Sequence, residues 1–139
     1  MMAKVPALPL IPASILSPDA TIRDALQILG DRYGAVATIV DAAGTLAGIV
    51  TSGDLRKAIL NGSAVVTPLH DVMNSNPISL RVSELDEEAS VHAVLGRLKA
   101  LYAVERMHVQ VPVTDPAGCP VGLIDVQSLL RRAPDIDFA

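Results

Sequence analysis

Gly48-Ile49-Val50-Thr51-Ser52-Gly53-Asp54-Leu55 is answered 74 residues later by Gly122-Leu123-Ile124-Asp125-Val126-Gln127-Ser128-Leu129. The same interval carries Asp41 to Asp115, Gly44 to Gly118 and the basic Lys57 to Arg131. A spacing held across turn, strand and helix-start positions marks an internal repeat. The apolar frame is duplicated and the polar residues are not: the first copy has Thr51 and Asp54 where the second has Asp125 and Ser128.

Working outward, Val36 to Val40 and Leu46 to Val50 are aliphatic runs joined by Asp41-Ala42-Ala43-Gly44 and read as strand, turn, strand. The second turn, Asp115-Pro116-Ala117-Gly118, has the residues of a type I turn. A short helix is expected after each hairpin, over 53–60 and 126–132, with Asn61-Gly62 ending the first in left-handed geometry. Upstream, Ile22, Ala25, Leu26, Leu29 and Tyr33 keep helical spacing behind a Thr21-x-x-Asp24 capping box. A helical turn is expected at 69–73 and a strand at 78–80, pairing as Ile15-Leu16 does in the first copy. Val91, Val94, Leu95, Leu98, Leu101 and Tyr102 mark the second long helix, with Ser83 as its first plausible cap and Asp86-Glu87-Glu88 at its positive end. The wider spacing from Ser83 to Asp115 implies about a dozen extra residues there, lengthening that helix.

At 139 residues the chain suits two half-size lobes sharing one core. Phe138, Tyr33 and Tyr102 are its only aromatics, so Ala, Val, Ile and Leu must build that core. The scarcity of stacking surfaces and a net charge of -4 argue against nucleic-acid binding. The apolar stretch from Val5 to Leu16 is broken by Pro6, Pro9 and Pro12 and is too short to span a bilayer. Cys119 is the single cysteine, which suits a reducing compartment, and cytoplasm is the expected location. His70, His92 and His108 are too scattered for a helical zinc pair, and no metal is expected. Neither a dinucleotide fingerprint nor a phosphate loop is present.

The stretch from Gly48 to Ala58, with Val72-Met73-Asn74-Ser75-Asn76-Pro77 between the lobes, closely resembles a tandem pair of cystathionine-β-synthase-type (CBS) domains. The resemblance covers roughly Ile15 to Arg132 and is weaker in the second half, where Val111-Pro112-Val113-Thr114-Asp115 and the hairpin carry it. It implies an α/β fold of two β-α-β-β-α lobes packed as one module. The divisions expected are an arm at 1–14, a first lobe at 15–62, a linker at 63–76, a second lobe at 77–132 and a tail at 133–139. It further implies a homodimer that binds adenosine nucleotides (AMP, ADP or ATP) or related ligands in clefts between lobes and regulates a partner without catalysing a reaction. The wording of the first lobe is most similar to pairs attached to sugar-phosphate isomerases or sugar-nucleotidyltransferases.

The residues make a physical case for one ligand site. Asp54 near a helix start can accept from both hydroxyls of a ribose. Thr51 at the helix N-terminus can donate to a phosphate held by exposed backbone N–H groups, Gly53 lets the backbone approach, and Ser52 between them is a further candidate ligand contact. Arg56, beside Lys57, is placed for phosphate contact. Thr51-Ser52-Gly53-Asp54 also reads as an ordinary capping box. In the second lobe Asp125 would repel a phosphate and Ser128 offers ribose only an uncharged grip, so that site is expected to be altered or lost. Two further readings are a structural dimerisation module with empty clefts and a small enzyme using Asp54 or Asp125 as a base, for which no nucleophile or metal partner is found.

Overall fold

In the computed structural model, which describes residues 10–30, 35–101, 109–131 and 133, the repeat becomes two three-stranded sheets of one topology. The first lobe runs β1 (Ser14–Leu16), α1 (Ile22–Leu29), β2 (Val36–Val40), β3 (Leu46–Thr51) and α2 (Ser52–Leu60). The second runs β4 (Leu80–Arg81), α3 (Glu88–Leu101), β5 (Gln110–Thr114), β6 (Pro120–Asp125) and α4 (Val126–Arg131). In each sheet the first strand is parallel to the second and the second antiparallel to the third. The 74-residue interval survives in the register: Val36 faces Thr51 as Gln110 faces Asp125, and Ile39 faces Gly48 as Val113 faces Gly122.

Local chemistry sets the element ends. Thr21 Oγ1 accepts from the Asp24 N–H at 3.2 Å while Asp24 Oδ2 accepts from the Thr21 N–H at 2.9 Å, closing the capping box of α1. Ile22, Ala25 and Leu29 are fully buried along its inner stripe. The helix stops at Gly30, whose φ of 59° is readily reached only without a side chain; Tyr33 lies outside the described residues. After α2, the left-handed residue is Gly62 (φ 99°) alone, since Asn61 has φ -88°.

The helical turn expected at 69–73 is the shorter Leu69–Asp71, and two boundaries of the second lobe differ from the sequence reading. The strand expected at 78–80 is Leu80–Arg81, which pairs with Val113 and Thr114 of β5. Toward Ile78 the ladder would meet Pro112, which has no N–H to donate. Ser83 does not cap the second long helix: it lies in a separate 3₁₀ turn, Val82–Asp86, closed by the Arg81 N–H on Glu84 Oε1 at 2.7 Å and anchored by buried Leu85. The turn and a 14-residue α3, against 8 residues in α1, take up the extra length. Leu16 lies beside Ile39 and Leu80 beside Val113, so the excess between first and second strands is ten residues rather than a dozen. Tyr102 and His108 fall outside the described residues, as do residues 5–9 of the apolar N-terminal stretch.

Each lobe has its own core, one around Ile22, Leu29, Ile39 and Leu55, the other around Leu80, Val91, Leu95 and Ile124. The stretch read as a linker contributes to the first: its 3₁₀ turn, Leu69–Asp71, buries Leu69 completely. A third cluster joins the lobes through Val36 and Ile49 of one and Leu123 of the other. The hairpin turns also meet, with the Leu46 N–H donating to Gly118 O at 2.9 Å.

Asp41 organises the first hairpin turn. Its Oδ1 accepts from the N–H groups of Ala43 and Thr45, both at 3.0 Å, and Oδ2 accepts from the Thr45 hydroxyl. These bonds, the Thr45 hydroxyl foremost, hold its carboxyl below the ordinary aspartate range. A carboxyl whose pKa is depressed by folding stabilises the protein above its unfolded pKa, and that contribution is lost as pH falls through the folded value. Thermal midpoints measured downward from about pH 4 are therefore expected to fall less steeply in Asp41→Asn than in the wild type; parallel curves would show that the turn carries no such linkage.

Candidate functional site

Strand β3 runs into α2 with no loop between them. Thr51 is the last residue of one and the N-cap of the other, with extended backbone at φ -109°, ψ 163°. Its Oγ1 accepts from the Asp54 N–H at 3.0 Å, and its N–H donates to Asp54 Oδ2 at 3.1 Å. Thr51 and Asp54 are both half-buried. The Ser52 N–H donates to Ala35 O at 3.3 Å, tying the helix start to the chain entering β2. Gly53 is exposed, and a methyl group there would meet only Thr51 Oγ1, at 3.7 Å, so nothing in the protein itself demands glycine at this position. Arg56 is exposed one turn beyond Ser52 on the same helix face.

The capping reading and the ligand reading are compatible in this geometry. A hydroxyl that accepts one bond still has its own proton to give, and a carboxylate has a second oxygen. Among the described residues no protein group engages the Thr51 hydroxyl proton or Asp54 Oδ1. Both are thus left over at the positive end of a nine-residue helix, where the dipole and the Gly53 N–H favour an anion, the Ser52 and Asp54 N–H groups being spent on Ala35 O and Thr51 Oγ1.

The second lobe reproduces the cap with the groups exchanged. Asp125 Oδ1 accepts from the Ser128 N–H at 3.0 Å, and the Val126 N–H donates to Val109 O at 3.1 Å, matching Ser52 on Ala35. Here the carboxylate occupies the cap and the hydroxyl residue the third helical position. Ser128 is 4% exposed, which corrects the expectation that it offers ribose an uncharged grip. Burial removes it from any surface site, and α4 has only six residues.

Among the described residues no group of three His, Cys, Asp or Glu side chains is arranged to hold a metal ion. His70 Nδ1 lies 2.9 Å from Asp71 Oδ1 at the surface, and His92 Nε2 lies 3.7 Å from Glu88 Oε2 within α3. Cys119 is half-buried beside the other hairpin turn, its Sγ 3.8 Å from where a Gly44 side chain would begin.

Sequence reasoning missed one structural neighbour of the site. Ile49, two residues before Thr51, exchanges main-chain hydrogen bonds with Asn74. A glycine within a strand signals close backbone approach, and Gly48 was that signal.

The fold and this repeated strand-to-helix junction define a class. Residues 4–61 match the family model of the CBS domain, and the two lobes have the architecture of a CBS domain pair. Among individual proteins, it is 27% identical over 112 residues to arabinose 5-phosphate isomerase GutQ of Shigella flexneri, an alignment covering 81% of this chain and 32% of that protein. The chain thus spans about a third of the length of this curated relative. The CBS domain pair of protein MJ0100, in complex with 5′-methylthioadenosine and S-adenosyl-L-methionine, superposes with a TM-score of 0.65 at 25% identity, covering 86% of this chain and 90% of that one. CBSX2 of Arabidopsis thaliana, in complex with AMP, gives a TM-score of 0.59 at 19% identity, covering 90% and 92%. No helix among the described residues is long and apolar enough to cross a membrane.

Proposed function

We propose that the chain is a regulatory module that binds an adenosine-type nucleotide at the first lobe and controls a partner or attached domain, with no catalysis of its own. The observation that carries this reading is the donor and acceptor left over by the first capping box. The Thr51 hydroxyl proton and the Gly53 N–H face a phosphate, Asp54 Oδ1 accepts from ribose, and Arg56 supplies the positive charge. Support comes from the two structural neighbours, which hold AMP in one case and S-adenosyl-L-methionine with 5′-methylthioadenosine in the other. The likeness to a sugar-phosphate isomerase, 32% of which the alignment covers, makes an enzyme of that class the proposed regulated partner, in a cytoplasmic setting that suits the single cysteine. We assign the module to an N-terminal arm, two lobes at 15–62 and 77–132, a linker and a tail.

Thermal shift with AMP, ADP and ATP tests the reading. A ligand at one hundred times its dissociation constant adds about 2.7 kcal/mol, and a midpoint indifferent to all three would refute it.

A structural dimerisation module is the second reading, favoured by apolar side chains left in water. Leu60 and Val66 are 79% and 70% exposed, and Ile28, Ile59 and Val65 are exposed as well. They lie on α1, on α2 and in the turn that follows it. Exposed apolar surface of this kind is ordinarily covered by association. Under both readings the chain forms a homodimer, so sedimentation is expected to give twice the chain mass at micromolar concentration and a monomer for Leu60→Glu; a wild-type monomer would contradict the assignment.

A further inference from the structure

Strands β3 and β6 are each the outer strand of their sheet, where an unpaired edge would leave main-chain groups open. Each is instead crossed by the segment leading into the opposite lobe. Asn74, ahead of the second lobe, exchanges bonds of 2.9 and 3.0 Å with Ile49 of β3. Ile11, ahead of the first lobe, exchanges bonds of 2.7 and 2.8 Å with Leu123 of β6. The two crossings differ in how they are held. The segment at Asn74 is also tied back through the N–H groups of Val72 and Met73 on the carbonyl of buried Leu69, at 3.0 and 2.8 Å. At Ile11 the next residue is Pro12, which has no N–H to lengthen the ladder, and Leu10 and Pro12 are exposed on either side. Gly122 admits this segment, since a methyl group there would come within 3.1 Å of Ile11 O and 3.2 Å of Leu10 Cβ. Ile11 and Ala13 then pack on Val36, Ile49 and Leu123, the cluster that joins the lobes.

We propose that residues 10–13 form a two-state clasp. Docked on β6, they seal the inter-lobe cluster; released, they uncover the outer edge of β6 and loosen the contact between lobes, while each lobe keeps its own core. The docked state rests on one residue pair and a half-buried isoleucine, so it opens at a lower free energy than either lobe unfolds. Val36, one wall of the cluster, faces Thr51 across the β2–β3 ladder, so a single strand pair separates the clasp from the candidate site. The inference does not rest on the nucleotide reading.

Native-state hydrogen exchange on the full chain tests it. In the wild type, Ile11 and Leu123 are expected to show protection factors at least about tenfold below those of Leu95 and Leu98 inside α3. Ile11→Pro removes one donor and the isoleucine side chain from the inter-lobe cluster while leaving the core of each lobe intact, and Gly122→Ala crowds the docking surface. Each is expected to lower the protection of Leu123 by a further factor of about ten and to leave Leu95, Leu98 and Asn74 unchanged. The proposal is overturned if wild-type Leu123 exchanges only with Leu95 in global unfolding. It is equally overturned if Ile11→Pro leaves Leu123 protected, or if it accelerates all these amides together.

Discussion

Gly48→Ala is expected to destabilise the protein by about 1 to 3 kcal/mol or more, the usual range for forcing an extra methyl into a filled space. The new Cβ would stand 2.7 Å from the Asn74 carbonyl oxygen and 2.8 Å from Met73 Sδ. The thioether can swing away, but the carbonyl is fixed by its hydrogen bond from the Ile49 N–H at 3.0 Å. Relief therefore requires the segment at Asn74 to lift off β3, or β3 to shift and disturb Thr51 two positions beyond the Ile49 pair. The equivalent change in the second lobe, Gly122→Ala, meets nothing nearer than 3.1 Å and is expected to cost less. Denaturant melts of the two variants check this, and equal or negligible losses would contradict the crossing geometry.

Asp54→Ala is expected to weaken AMP binding by about ten- to more than a hundredfold, the equivalent of roughly 1.5 to 3 kcal/mol for hydrogen bonds to a charged acceptor. The same change removes the acceptor for the Thr51 N–H, so a loss of stability accompanies it. Asp54→Asn separates the two effects. An amide oxygen can still accept from Thr51, so the fold is kept while the charge facing ribose is lost. Asp125→Ala, which touches only the cap of α4, is expected to leave AMP affinity within about twofold. Isothermal titration of the three variants decides, and a loss confined to Asp125→Ala would place the working site in the other lobe.

Much of the fold was legible because the sequence states it twice. The hairpins and the helix starts at Thr21 and Thr51 follow from turn chemistry and capping boxes, which are local and need no knowledge of tertiary contacts. What was not legible depended on contacts distant in sequence. The shortening of β4 follows from Pro112 on the neighbouring strand, and the 3₁₀ turn at Val82–Asp86 from the burial of Leu85. Leu69 looked like part of a linker, because its partners lie in the first lobe's core. The site was half legible: Thr51 and Asp54 could be paired by spacing alone, but whether capping would exhaust their hydrogen-bonding groups is a matter of geometry. The burial of Ser128 was likewise invisible, since its short polar side chain gives no sign of facing inward.

The account turns on a single nucleotide site in the first lobe, and the stoichiometry of AMP binding tests it most directly. Calorimetric titration of the wild-type chain is expected to give one AMP per chain, with binding lost or strongly weakened in Asp54→Asn while the melting midpoint of the ligand-free protein stays close to that of the wild type. Two equivalent sites per chain, or affinity unchanged in Asp54→Asn, would contradict it.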